Sequence, residues 1–307
     1  MTSTPTADEA ARRRSGSLYA IGAYGIWALL PLVFIPLSGL GAVEILALRV
    51  IVSVLFCILL LTLVRQWSDL FRIVRSRRTT AWLALAAVLV SVNWLLFIFA
   101  TVTGRVLETS LAYFINPLMS ILIGVIFLRE RLRPLQWVAL GFGAVAVLVI
   151  TIAYGSPPVM SLAMATSFAL YGLVKRHITN SPGFEPVPGL PGLTVETGIL
   201  APVAIIALIV IGVRGELMFT HGGWVVPVMI AVSGIATAIP LVLFAEAAAR
   251  LPLSWIGMFQ YIAPVGQFLI GWALLGEPMP AARWAGFALV WVAVLLFIVD
   301  AISRRRR

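Results

Sequence analysis

Apolar residues come along this chain in ten runs, each near the roughly 20 residues that an α-helix needs to cross the hydrocarbon core of a bilayer. The runs are 17–37, 42–64, 81–101, 109–128, 135–153, 159–174, 194–212, 224–246, 253–275 and 282–302. The sixth is the shortest. Polar breaks separate them, several rich in Pro and Gly, such as 155–158 (Gly-Ser-Pro-Pro) and 181–192 (Ser-Pro-Gly-Phe-Glu-Pro-Val-Pro-Gly-Leu-Pro-Gly). The first run follows Arg12, Arg13 and Arg14, as the core of a signal peptide would. It is 21 residues long, however, and no small-x-small cleavage site follows it. It therefore reads as a retained first helix. The pattern predicts an all-α integral membrane protein with ten transmembrane helices.

Composition makes lipid the solvent. Of 307 residues, 61% are hydrophobic and 11% charged, against about 45–50% and about 25% in soluble domains. So few charges cannot cover a water-facing surface. Ten spans leave no room for a sizeable soluble domain, which removes most water-soluble enzymes and nucleic-acid modules.

The net charge of +10 suits either nucleic acid or cytoplasmic loops. With the N-terminus inside, 18 of the 22 basic residues fall in inside segments. Arg105, Arg214 and Arg283 fall outside, and Arg49 lies within a span. This imbalance predicts the cytoplasmic membrane, both termini cytoplasmic, and no nucleic-acid partner. The lone lysine, Lys175, lies in Gly172-Leu-Val-Lys175-Arg176, so there is no phosphate-binding Gly-Lys-Ser/Thr loop. A single Cys57 inside an apolar run, and His177 and His221 in separate polar loops, predict no disulfide, no metal site and no cofactor.

The second half repeats the first. A shift of 147 residues aligns 97–148 with 244–295 without a gap, pairing Pro117 with Pro264, Glu130 with Glu277 and Trp137 with Trp284. Five spans per repeat is an odd number, so the halves (17–153 and 159–302, between a cytoplasmic segment 1–16 and a basic tail 303–307) insert in opposite senses. Inverted repeats around a midplane site are a hallmark of secondary transporters; duplication for stability alone is the plainer alternative.

Charge within a span costs on the order of 2.5–3.5 kcal/mol on insertion scales, so it is kept for a reason. Arg49 reads as a gate or substrate-charge contact, or as a structural ion pair with Glu108 joining the second and fourth spans. Glu44 and Glu196, each opening a span, read as alternating gates or as interfacial acids favoured by the helix dipole. Glu246 and Arg250 are spaced to pair along one helix face, and Asp300 reads as an interfacial contact for Arg304. The polar and aromatic candidates for a cavity are Asn93 and Trp94, Tyr113, Asn116 and Pro117, and Gln260, Tyr261 and Pro264, joined by Trp27 near Pro31. Each proline leaves the carbonyl four residues back, Tyr113 or Gln260, without its helical donor. A freed carbonyl in a membrane must line a cavity or find a protein partner. Tyr171 reads as interfacial.

At these residues the chain resembles the RarD-like proteins of the EamA group, in the drug/metabolite transporter superfamily. The strings that carry it are Glu44-Ile-Leu-Ala-Leu-Arg49, Asn93-Trp-Leu-Leu-Phe-Ile98, Thr109-Ser-Leu-Ala-Tyr-Phe-Ile-Asn-Pro-Leu118, Tyr171-Gly-Leu-Val-Lys-Arg176, Phe259-Gln-Tyr-Ile-Ala-Pro264 and Trp291-Val-Ala. The resemblance implies a fold of ten helices in two inverted fives. It also implies export or exchange of a small metabolite or drug-like compound. Arg49, Asn93, Trp94, Tyr113, Asn116, Pro117, Gln260, Tyr261 and Pro264 occupy its motif positions. Ala112 and Glu246 depart from it, standing where glycine and a small residue are expected.

Two other functions compete with a carrier: a non-transporting scaffold or sensor, and a polytopic membrane enzyme. Lipid-transferase chemistry needs Asp-rich metal motifs, catalytic His or paired acids, and the aspartates Asp8, Asp69 and Asp300 lie far apart. No enzyme is expected. The expected partners are a small-molecule substrate and membrane lipid. Proton coupling through Glu44, Glu108 or Glu196, and a homodimeric assembly, stay open.

Overall fold

The computed structural model describes residues 7–129, 132–220, 223–251 and 253–303. Glu130, Arg131, His221 and the arginines at 304–307, used in the charge and repeat arguments, lie outside the described residues. So does most of the 1–16 segment's start, residues 1–6.

Helices account for nearly all regular structure among the described residues. In chain order they are α1 (Ala7–Phe34), α2 (Ala42–Leu63), α3 (Trp67–Arg75), α4 (Arg77–Val102), α5 (Val106–Leu128) and α6 (Pro134–Tyr154). There follow α7 (Val159–Asn180), α8 (Gly189–Val213), α9 (Val225–Arg250), α10 (Leu253–Phe259), α11 (Ile262–Leu269) and α12 (Ala281–Ser303). The ends follow local chemistry. Ser76 caps α4 by accepting the Thr79 N–H. Pro134 opens α6 and Pro188 precedes α8, where a missing N–H costs nothing.

Among the described residues, eight helices, α1, α2, α4, α5, α6, α8, α9 and α12, are long and apolar enough to cross a membrane. Large apolar side chains such as Leu55, Leu59, Val88, Ile206 and Ile209 are half or more exposed, or close to it. In water such faces would drive aggregation; in lipid they meet their solvent.

The predicted spans need four corrections. The break after 64 is not all loop, since α3 forms there, with Asp69 paired to Arg72 at 2.6 Å. The sixth run continues six residues beyond 174, and its last turns carry Lys175, Arg176 and His177. The seventh begins at Gly189, not 194, because Pro191 falls in the first turn, where helices accept it. The ninth is not one helix. It breaks at Gln260 and Tyr261 into α10 and α11, then ends in a π turn, Ile270–Leu274. Pro264, the third residue of α11, offers no N–H to the Gln260 carbonyl, so the helix restarts there.

Packing joins the two halves. α1 lies on α9 and α11, α7 on α4 and α5, α2 on α8, and α6 on α12. Adding 147 to the bounds of α2, α4, α5 and α6 gives 189–210, 224–249, 253–275 and 281–301. The observed bounds are 189–213 for α8, 225–250 for α9, 253–274 for α10 through the π turn, and 281–303 for α12.

Candidate functional site

Arg49, the eighth residue of α2, is 3% exposed. Its Nε donates to Thr237 Oγ1 of α9 at 3.0 Å. Its guanidinium lies 4.7 Å from the ring centroid of Trp94 on α4 and 5.5 Å from that of Phe34 on α1. A desolvated cation over an aromatic face gains about 2 kcal/mol. The expected pair with Glu108 does not form. Glu108 Oε1 is taken by Arg105, at 2.8 Å from Nε and 2.6 Å from Nη2, because a partner three residues back on the same turn needs no cross-helix reach. Among the described residues no carboxylate pairs with Arg49.

The other acids are held. Glu44 is buried, and its Oε1 accepts the Phe219 N–H at 2.8 Å. Glu196 is not at the helix start but a further two turns in, buried, with Lys175 Nζ at 2.7 Å on Oε1 and the Tyr171 hydroxyl donating to Oε2 at 3.2 Å. Tyr171, read as interfacial, therefore belongs to a buried ion pair between α7 and α8. His177, read as a loop residue, stacks on Trp82 at the end of α7. Glu246 and Arg250 do pair along α9. Asp300 faces Arg133 at 3.8 Å; Arg304 lies outside the described residues.

A polar seam runs through the helices beside Arg49. Asn93 on α4 is buried; its Nδ2 donates to the Met164 carbonyl of α7 at 3.0 Å, and its Oδ1 accepts the Tyr113 hydroxyl of α5 at 3.3 Å. Phe97 of α4 bridges Tyr113 to the Arg49 surroundings, its ring centroid 6.1 Å from that of Tyr113 and 6.0 Å from that of Phe34. The structure thus joins Arg49, Trp94, Asn93 and Tyr113. Asn116, one turn along α5 beside Pro117, keeps its Oδ1 buried without a partner. Gln260 and Tyr261 stand apart at the α10–α11 break. The Tyr261 ring stacks on Phe114 at 6.3 Å, and its hydroxyl, like Trp291 Nε1, is buried and unpartnered.

Sequence reasoning missed the residue that ties this seam to α1. Gln267 of α11 is 1% exposed; it accepts from Thr109 Oγ1 at 3.1 Å and donates to the Trp27 carbonyl at 3.3 Å. Pro31 leaves that carbonyl without a helical donor, so the sequence did call for a donor there, without saying which. Ser110 likewise donates to the Pro264 carbonyl at 2.8 Å.

A cavity of about 520 Å³ opens near the starts of α5, α7 and α12, lined by Arg105, Glu108, Leu111, Met160, Arg283 and Phe287. It lies at the end of the bundle, not around the prolines. Glu108 Oε2 is buried there without a partner.

Residues 14–152 match the EamA-like transporter family. Protein RarD of Streptomyces exfoliatus is 45% identical over 295 residues, covering 96% of this chain and 91% of that one. The chain belongs to the EamA family, among its RarD-like members. Another relative, the uncharacterized transporter YojE of Bacillus subtilis (strain 168), is 38% identical over 300 residues, 96% of this chain and 97% of that one. A solved crystal structure shares the fold, with a TM-score of 0.59 at 18% identity over 96% of this chain and 99% of that one. This EamA protein is thus a multi-pass membrane transporter, in a family whose relatives are named as transporters and not as enzymes.

Proposed function

We propose that the protein is a secondary carrier. It exports or exchanges a small metabolite or drug-like compound across the cytoplasmic membrane, by rocking two inverted five-helix repeats around the Asn93–Tyr113–Asn116 seam. Ten crossings are counted with α7 and the α10–α11 segment as spans, and both termini are cytoplasmic. The 147-residue offset of the helix bounds supports two equivalent halves, and the pairing of α1 with α9 and of α7 with α4 supports a twofold relation between them. Such a pair of halves has two near-isoenergetic arrangements, one open to each side.

The observation that carries the site is Asn116 Oδ1, buried without a partner one residue before Pro117. An unmet acceptor in a membrane interior costs about 1–3 kcal/mol, and a solute donor would meet it. Comparing metabolites in cells and medium, with and without the gene, identifies the solute. Asn116→Ala should then reduce its export at least tenfold, an effect of about 1.4 kcal/mol. Normal insertion with unchanged accumulation would remove the seam from the transport path.

Of the three acids that could couple protons, Glu108 is the best placed: it lines the cavity and keeps Oε2 unpartnered beside the Oε1 that Arg105 holds, whereas Glu44 accepts a backbone N–H and Glu196 holds Lys175. Transport in proteoliposomes should respond to a pH gradient and lose that response in Glu108→Gln. Indifference of the wild-type protein to the gradient would exclude proton drive.

A further inference from the structure

We infer that Arg49 anchors an oxyanion site, so that the transported solute carries a carboxylate or phosphate group. The inference rests on the carrier reading and names its substrate class.

A guanidinium has five N–H donors. Arg49 spends its Nε on Thr237, and its Nη1 and Nη2 amines bond no acceptor among the described residues. The faces of Trp94 and Phe34 attract the cation but carry no net charge to neutralise it. A buried charge without a counter-charge is strongly disfavoured.

The buried acids that could supply one are committed elsewhere. Glu108 holds Arg105, Glu196 holds Lys175, and Glu44 holds the Phe219 backbone. Glu196 is instructive, because 49 plus 147 is 196. The same eighth position of α8 carries an acid that has its own cation, while the eighth position of α2 carries a cation with no acid. No carboxylate among the described residues is left to serve Arg49, which leaves the counter-ion to the solute. The planar fork of two Nη amines matches two oxygens of one carboxylate or phosphate. Trp94, whose ring meets the guanidinium, adjoins Asn93 of the seam on α4, which places the anion beside the proposed path.

The test uses full-length protein in phosphatidylcholine nanodiscs, melted in a buffer whose only small anion is chloride. Acetate, benzoate and inorganic phosphate are added at matched ionic strength, with glucose and choline as neutral and cationic controls. At least one oxyanion should raise Tm, and the controls should not. Arg49→Gln should weaken that oxyanion on the order of a hundredfold, so that its Tm deficit against wild type is larger with the oxyanion than in the oxyanion-free buffer. A purely structural arginine would instead give the same deficit with and without anions. Should Arg49→Gln fail to fold, Arg49→Lys keeps the charge without the fork, and an unchanged affinity in it overturns the inference. Three further results overturn it: no oxyanion shift in wild type, equal shifts in wild type and Arg49→Gln, or stabilisation only when phosphatidylglycerol supplies the phosphate. If oxyanions fail while profiling finds an exported neutral or cationic compound, the carrier reading stands and this inference alone falls.

Discussion

Glu196 and Lys175 show how unequal the two ends of a buried ion pair can be. The Glu196 side chain is 2% exposed and that of Lys175 is 30% exposed. Lys175→Met leaves a carboxylate that cannot reach water, with only the Tyr171 hydroxyl on it. It should cost about 3 kcal/mol in thermal unfolding, the lower range for breaking a buried pair. Glu196→Gln leaves a cation that can rehydrate and should cost about 1 kcal/mol, as an exposed pair does. The double variant should recover most of the larger loss. A fully additive double variant would show that the two charges act independently. Both residues were visible in the sequence as oddities, one lysine in the whole chain and one acid in an apolar run. Their contact was not, because it depends on how the loop between α7 and α8 folds α8's second turn against the end of α7. Arg49 failed in the converse way: its burial was legible, but the acid chosen for it already had a partner on its own turn.

Helices were legible where apolar periodicity runs uninterrupted, and less so where glycine and proline decide. The Pro-Gly tract at 181–192 reads as loop, yet its last four residues begin α8, since proline is tolerated before intrahelical donors are needed. Pro117 and Pro264 align in the repeat, but α5 runs through the first and the ninth span breaks before the second. Glycines divide in a similar way. A Cβ on Gly234 of α9 would stand 2.7 Å from Val52 Cβ and 3.1 Å from the Ser53 backbone nitrogen of α2, whereas one on Gly198 of α8 would meet nothing within 4 Å. Gly234→Ala should therefore push α9 from α2 and cost about 1–3 kcal/mol. Gly198→Ala should be neutral or gain up to ~1 kcal/mol from helix propensity. Thermal melts of the two variants check the contrast, and equal effects would mean that α2 and α9 do not approach this closely.

The whole molecule poses two questions, which side faces the cytoplasm and what holds the halves together. The orientation proposed from the basic loops can be read chemically. In a Cys57→Ser background, a cysteine at Asp69 should resist a membrane-impermeant maleimide added outside intact cells. One at Arg214 should react, and the reverse pattern would invert the topology. The link between halves includes Glu277, in the connection to α12. Its carboxylate accepts the N–H groups of Val106, at 2.5 Å, and Leu107, at 3.1 Å, on the first turn of α5. An acid at a helix N-terminus gains from the dipole, and these bonds and Arg283 favour the charged form. Burial, the largest influence, opposes them, and Glu108 adds to it, so the Glu277 carboxyl titrates above its ordinary 4.5. The folded chain then holds this proton to a higher pH than the unfolded chain does. From 4.5 upward to the raised value the folded state binds more protons, so stability falls as pH rises through that window. The contribution is complete below 4.5 and lost above the raised value, the opposite of the usual salt-bridged carboxylate. Glu277→Gln keeps an acceptor for the α5 amides and removes the titration. Its melting temperature should therefore lose this part of the pH dependence while α5 stays docked. A wild-type protein whose stability instead rises over the same window relative to Glu277→Gln would reverse the sign, making the amide bonds outweigh burial.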